Sequence, residues 1–290
     1  MPTDDMPLPK PKDLPKIIYG TAWKKERTRA LVVTAVLQGF KGIDTACQPK
    51  HYQEALVGDA LQELYDKHGV ERKDLFIQTK FTPIGGQDTS KPLPYNPKDP
   101  IPAQLASSLS TSLQNLRTTY LDAYLLHSPL PRDEDTLKAW HVLARFQDQG
   151  KTRLIGVCNT YDVRILEALS EVRKVQVVQN RWYAGNGWDK DVVRYCKKEG
   201  IMYQAFWTLS GSPELLAHPA FEAIAEKSGM TREQVMYKLA QDMGVTPLSG
   251  TTDLGHMKED LEVEKMELRS AGVEKELAAV RRLIGAEEAS

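Results

Sequence analysis

The sequence predicts an α/β fold closed as a (β/α)8 TIM barrel, and two observations carry that prediction. Short runs rich in Ile, Val, Leu and aromatic residues alternate eight times with longer helical patterns, which calls for parallel strands joined by right-handed crossovers. An open doubly wound sheet, the main competitor, would place a Gly-x-Gly-x-x-Gly turn after its first strand. Residues 20–23 read Gly-Thr-Ala-Trp instead.

The strand segments are 16–20, 42–46, 75–81, 122–127, 153–159, 175–179, 202–206 and 246–250. Apolar residues at helical spacing mark helices over 26–38, 53–67, 102–116, 134–148, 163–170, 190–198, 232–242, 257–261 and 273–284. Thr231, followed by Glu233 and Gln234, and Asp133, ahead of its apolar series, are start signals. Residues 1–15 are polar and proline-rich, without the apolar stretch of a leader, and are expected to form a flexible arm before a single domain over 16–290. Segment 82–101 carries Gly85, Gly86 and the prolines Pro83, Pro92, Pro94, Pro97 and Pro100. Its place on a βα connection predicts a lid on the substrate side, the alternative being a plain surface insertion.

A net charge of -1, with 41% hydrophobic and 27% charged residues, gives no general attraction to nucleic acid or an anionic membrane. Cys47, Cys158 and Cys196 are few, odd in number and without metal-type spacing. They predict a reducing, cytoplasmic setting and no metal site. Apolar runs such as 30–37 are far too short to span a bilayer.

In a barrel enzyme the βα loops at the C-terminal strand ends build the site. Polar residues that end apolar runs are therefore candidates, and three successive strands supply them: Gly42-Ile43-Asp44, Ile77-Gln78-Thr79-Lys80 and Tyr124-Leu125-Leu126-His127. Taken singly, a strand-end Asp is often a helix cap and a strand-end Lys or His is often just exposed. Their joint placement on one rim points to chemistry. Tyr52 follows Asp44 on the same connection and can project over that mouth. A phenol with a pKa near ~10 needs help worth about 4 kcal/mol to act as an acid near pH 7. Lys80 would favour the phenolate, Asp44 would hold that ammonium charged, and His127 would hydrogen-bond a substrate oxygen.

These residues resemble the aldo-keto reductase superfamily, whose aspartate, tyrosine, lysine and histidine lie on consecutive βα units. The likeness extends from Gly42-Ile43-Asp44-Thr45-Ala46 through Tyr52-Gln53-Glu54 and Val57-Gly58-Asp59-Ala60-Leu61 to Leu75-Phe76-Ile77-Gln78-Thr79-Lys80 and Leu121-Asp122-Ala123-Tyr124-Leu125-Leu126-His127. The resemblance implies hydride transfer from a nicotinamide to an aldehyde or ketone, with Tyr52 as general acid. It implies NADPH (NADP+) as cofactor, with NADH as the alternative, and a small-molecule carbonyl substrate for a monomer or weak homo-oligomer. Cofactor contacts would come from Gly20, Thr21, Cys158, Asn159, Gln179, Phe206, Trp207, Leu209 and Ser210. Asn159 and Gln179 would hold the carboxamide, and Phe206 or Trp207 would stack on the ring. The segment 247–252 with 256–260 resembles the adenosine-phosphate motif and adds Ser249, Gly250, Thr251, Thr252, His256, Glu259 and Asp260, with the phosphate at a helix N-terminus. Trp23, Tyr19 and Trp182 are candidate substrate walls.

The sequence departs from the family pattern in several places. Cys158 stands where a serine is usual, Leu248 stands where members with strong NADPH preference often carry a lysine, and the arginine they often place near His256 is absent. The turn Cys47-Gln48-Pro49-Lys50-His51 is enlarged, making His51 an alternative acid. The connection after the seventh strand is short, which predicts easy cofactor exchange. The rival functions are a cofactor-binding regulatory protein with little turnover and a barrel lyase using Lys80 as a Schiff-base nucleophile.

Overall fold

The computed structural model describes residues 14–268 and 272–285. Most of the expected N-terminal arm, residues 1–13, lies outside the described residues. Eight parallel strands close in sequence order into a barrel. In chain order the elements are β1 (Ile18–Gly20), α1 (Thr28–Gln38), β2 (Gly42–Asp44), α2 (Glu54–His68), β3 (Phe76–Phe81), α3 (Ile101–Asn115), β4 (Leu121–Leu126) and α4 (Asp133–Asp148). They continue as β5 (Thr152–Cys158), α5 (Val163–Val172), β6 (Val177–Arg181), α6 (Lys190–Glu199), β7 (Met202–Phe206), α7 (Pro213–Leu216), α8 (Pro219–Ser228), α9 (Arg232–Asp242), β8 (Val245–Ser249), α10 (Leu254–Glu262) and α11 (Glu274–Leu283).

Two differences from the sequence reading affect the site. β6 runs two residues later than expected, so Gln179 sits in mid-strand and Arg181 ends it. Helices α7 and α8 were not predicted. Each begins on a proline in its first turn, and Ala217-His218 divides them, so neither sustains a helical period long enough to read. The start signal at Thr231 forms a capping box: Thr231 Oγ1 accepts the Gln234 N–H at 3.2 Å, and Gln234 Oε1 accepts the Thr231 N–H at 3.0 Å.

Side chains alternate across each strand, so one face of each fills the barrel interior. Ile18, Phe76, Ala123, Leu125, Leu154 and Val177 pack as one apolar cluster inside the barrel, with Leu125 opposite Lys80 in register. The same faces carry Asp44, Gln78, Gln179, Gln204 and Lys80, all buried and all polar. The larger core lies between the strands and the helices, where Ile43, Ile77, Tyr124 and Trp140 are fully buried. At the N-terminal end Asp122 closes the barrel: it accepts the Ile77 N–H at 2.9 Å and pairs with Arg72 at 2.8 Å and Arg153 at 3.1 Å.

Helix α2, which leaves the site, packs so closely on the end of α3 that a Cβ at Gly58 would lie 1.8 Å from the Asn115 carbonyl oxygen. Gly58→Ala must push the two helices apart and should cost about 2–3 kcal/mol. Urea unfolding checks this; a variant within 0.5 kcal/mol of the parent, roughly the range of a harmless substitution, would refute the close fit.

Candidate active site

Asp44 ends β2 and Lys80 is the last inward residue of β3, facing it. Lys80 Nζ donates to both Asp44 oxygens at 2.7 Å and to the Thr45 carbonyl at 2.9 Å. Burial alone would lower the Lys80 pKa, but the Asp44 charge and hydrogen bond, with Tyr52 and Cys158 beside them, together hold the ammonium above its ordinary value. Gln78 and Gln179 add N–H donors to Asp44 Oδ1 at 2.7 and 2.9 Å. Both also donate to Gln204 Oε1, at 2.7 and 2.9 Å, and Gln204 returns a bond to Gln78 Oε1 at 2.8 Å. An ionised carboxylate only accepts, so Asp44 fixes the direction of every amide in this ring. That leaves Gln179 Oε1, with Cys158 Sγ at 3.6 Å, as an acceptor on a side chain that lines the cavity above.

Tyr52 reaches the same mouth despite the enlarged turn because the turn closes on itself. Gln48 O accepts the N–H groups of both His51 and Tyr52, at 3.1 and 3.0 Å. Segment 82–101 grips this turn from outside: Gln48 Nε2 donates to the Gly86 carbonyl at 2.5 Å and Gln87 Nε2 to the Cys47 carbonyl at 2.9 Å. No residue of 82–101 is among the cavity walls, so in this structure the segment acts as a brace rather than the expected lid. The Lys80 ammonium lies 5.2 Å from the Tyr52 ring centroid, and the Tyr52 and His127 rings meet edge to face at 6.1 Å. Burial pushes the Tyr52 phenol up to about 12, with Lys80 opposing it. Lys80 favours the phenolate as expected, but burial is the larger effect.

His127 follows β4 directly and is held by Thr82 Oγ1, 2.7 Å from Nδ1. With the Thr82 hydroxyl donating, Nε2 carries the ring proton. Burial, then the nearby Lys80 charge, holds the imidazole pKa well below its usual value, so the ring is neutral at pH 7. Asn159 adopts a left-handed conformation (φ 51°) and its Nδ2 donates to the His127 carbonyl at 2.8 Å.

Above these groups opens a cavity of about 980 Å3. Of the predicted residues, Gly20, Trp23, Asp44, Tyr52, His127, Asn159, Gln179, Phe206, Trp207, Leu209, Ser210, Ser249, Gly250, Thr251, His256, Glu259 and Asp260 are walls, whereas Lys80 sits buried just beneath. Tyr19, Thr21, Cys158, Thr252 and Trp182 are not walls. Thr21 instead bonds the Asp44 carbonyl through its N–H and its hydroxyl, and the Tyr19 hydroxyl bonds the Thr251 carbonyl. Because β6 ends at Arg181, alternation turns Trp182 outward, where it is buried edge-on against Trp188 at 5.0 Å.

His51, the alternative acid, packs against the exposed Trp23 ring, with centroids 3.8 Å apart and planes tilted by 37°. Phe206 and Trp207 flank Arg181, whose guanidinium lies 5.8 and 4.5 Å from their rings. The sequence reading missed Lys24, Gln48, Thr82, Gln78 and Gln204. Gln78 and Thr82 stand two residues either side of Lys80, the spacing that returns a side chain to the same face, and that was the available signal. Among the described residues no group of three or more metal-ligating side chains could hold an ion, and no helix is long and apolar enough to cross a membrane.

The model of the aldo/keto reductase family matches residues 16–280. A methylglyoxal reductase of Yersinia pestis is 30% identical over 242 residues, covering 83% of this chain and 83% of its own. An uncharacterized oxidoreductase of Bacillus subtilis is 28% identical over 240 residues, covering 82% and 78%. Among solved structures, an aldo/keto reductase from Brucella melitensis superposes with a TM-score of 0.75 at 24% identity, covering 96% of this chain and 99% of that one. An aldo-keto reductase complexed with NADPH gives 0.78 at 22% identity, covering 96% and 87%. At these identities the superpositions establish the fold.

The neutral state of His127 has a stability consequence. An unfolded chain protonates this ring near pH ~6.5, whereas the folded protein does so only at lower pH. The contribution is complete above about pH 6.5 and is lost as pH falls towards the folded value, at up to about 1.4 kcal/mol per pH unit. Asp189 and Asp260, whose carboxyls burial pushes up to about 6, act in the opposite sense. The measurement is therefore a comparison of wild type with His127→Gln by urea unfolding at pH ~7.5 and ~5.5. Wild type should lose more stability on acidification, and equal losses would refute the assignment.

Proposed function

The chain belongs to the aldo/keto reductase family, and from that premise we propose that it reduces an aldehyde or ketone to an alcohol, using a nicotinamide dinucleotide, with Tyr52 as the general acid. The observation that carries this reading is the convergence of Tyr52 and a neutral His127 over the buried Lys80–Asp44 pair at the floor of one cavity.

The cavity walls fit the implied cofactor at its nicotinamide end. Gln179 offers an acceptor and Asn159 a polar side chain for a carboxamide, while Phe206 and Trp207 offer aromatic faces at the rim. A reduced nicotinamide bound there supplies the hydride. His127 donates a hydrogen bond from Nε2–H to the substrate oxygen, keeping its proton, and orients the carbonyl. Tyr52 gives that oxygen its phenolic proton as negative charge develops on it. An alkoxide is about as basic as hydroxide, whose conjugate acid has a pKa near ~16, so a phenol at about 12 still transfers its proton downhill. Lys80 remains charged, facing Tyr52, and lowers the cost of the phenolate left behind. Asp44 keeps that ammonium in place.

The chemistry at Lys80 favours this reading over a Schiff-base lyase. Its amine is fully buried, bonded to three oxygens and held protonated, and an ammonium is not a nucleophile. The substrate end is walled by Trp23, His51, Gln48 and Trp207. Aromatic walls suit apolar, aromatic or sugar carbonyls, and methylglyoxal, the substrate named for the Yersinia relative, is the first small aldehyde to assay.

Tyr52→Phe removes the proton donor and keeps the ring. Oxidation of the dinucleotide by an aldehyde, followed at the nicotinamide absorbance band, should fall by ~10²–10⁴, with dinucleotide binding kept within about threefold of wild type. A variant that retains wild-type turnover would sink the assignment of Tyr52.

A further inference from the structure

From Tyr52 and His127 the cavity extends to a far end between β8 and the N-terminal turns of α9 and α10. A dinucleotide whose nicotinamide reaches Gln179 directs its adenosine ribose towards that end. The charge there then decides between a ribose 2′-hydroxyl and a 2′-phosphate.

Three observations bear on the choice. The start of α10 is already filled by the chain itself, since Asp253 Oδ1 accepts the His256 N–H at 3.0 Å. The anion site that a helix start would offer is thus taken by a carboxylate of the chain. Second, Ser249, at the floor of this end, donates its hydroxyl to Asp260 Oδ2 at 2.6 Å, which leaves no proton for a phosphate oxygen. Third, the walls include Glu233, Glu259 and Asp260, whereas Leu248 among them offers no charge to answer a phosphate. Burial pushes Asp260 up to about 6, against the Ser249 hydrogen bond and the His256 charge, with the Glu259 and Glu233 charges adding to the rise. Lys24 is also among the walls, and its ammonium is engaged by the Gly250 carbonyl across the crevice between β1 and β8.

We propose that this end of the cavity is built for a free ribose 2′-hydroxyl, so that the protein binds NADH in preference to NADPH, with Glu233 and Glu259 as the discriminating groups. A hydroxyl can donate a proton to a carboxylate. A phosphate monoester near pH 7 presents only acceptor oxygens and close to two negative charges, and it meets like charge on the walls with no arginine fork to answer it. The resemblance to NADPH-using relatives and the residues at this end therefore disagree, and the disagreement is confined to the adenosine ribose.

The inference rests on the reductase reading, and the test separates the two. Calorimetric titration of the whole protein with NADH and NADPH, and with the nicotinamide-free pair ADP-ribose and its 2′-phosphate, reads binding without turnover. NADH and ADP-ribose should bind at least about tenfold more tightly than their phosphorylated partners. That ratio should shrink as salt is raised from ~20 mM to ~0.3 M, because screening weakens like-charge repulsion. The double variant Glu233→Lys with Glu259→Lys should remove or invert the preference. If both dinucleotides bind and NADPH is equal or tighter, this inference falls and the reductase reading stands. A preference that survives the double variant overturns the role given to the two glutamates. If neither dinucleotide binds, the reductase reading falls and takes this inference with it.

Discussion

The buried pair of Lys80 and Asp44 is the constraint from which the rest of the site follows. Taking an ammonium and a carboxylate out of water costs several kcal/mol each, and their attraction offsets this only when the remaining hydrogen-bonding capacity is also met. Here it is met: the ammonium holds both carboxylate oxygens and the Thr45 carbonyl, while two glutamine amides complete the carboxylate. The polar layer across the barrel follows from that demand, since each amide that serves Asp44 needs a partner for its own other atoms, and Gln204 supplies it.

Fold class was legible because it depends on properties that a linear chain displays: eight apolar runs, helical spacing between them, and the absence of a phosphate-binding glycine turn. Asp44, Lys80 and His127 were legible for a related reason, since a polar residue closing an apolar run stands out. The enlarged turn hid how Tyr52 comes back over the mouth, because that return depends on Gln48 accepting two backbone N–H groups. No spacing rule encodes such a bond.

What the sequence concealed was register and partnership. β6 continues two residues past its expected end, to Arg181, so its alternation carries on to Trp182 and turns that ring away from the mouth into the layer beneath the helices. Gln78 and Gln204 are ordinary mid-strand glutamines until strands 126 residues apart in sequence are brought face to face. Asp253 is of the same kind. Alone it is an acid ahead of a helix, and only its bond to the His256 N–H shows that the start of the helix is not open to a ligand.

The amide ring under Asp44 also governs where protons can travel. Glutamine side chains do not ionise, and the layer below them is hydrocarbon, so nothing beneath the carboxylate can accept or relay a proton. The barrel floor is a dead end. In the proposed reaction, each proton given up by the phenol of Tyr52 is replaced from the open mouth of the cavity, so the pace of that replenishment belongs to the rim rather than to the interior.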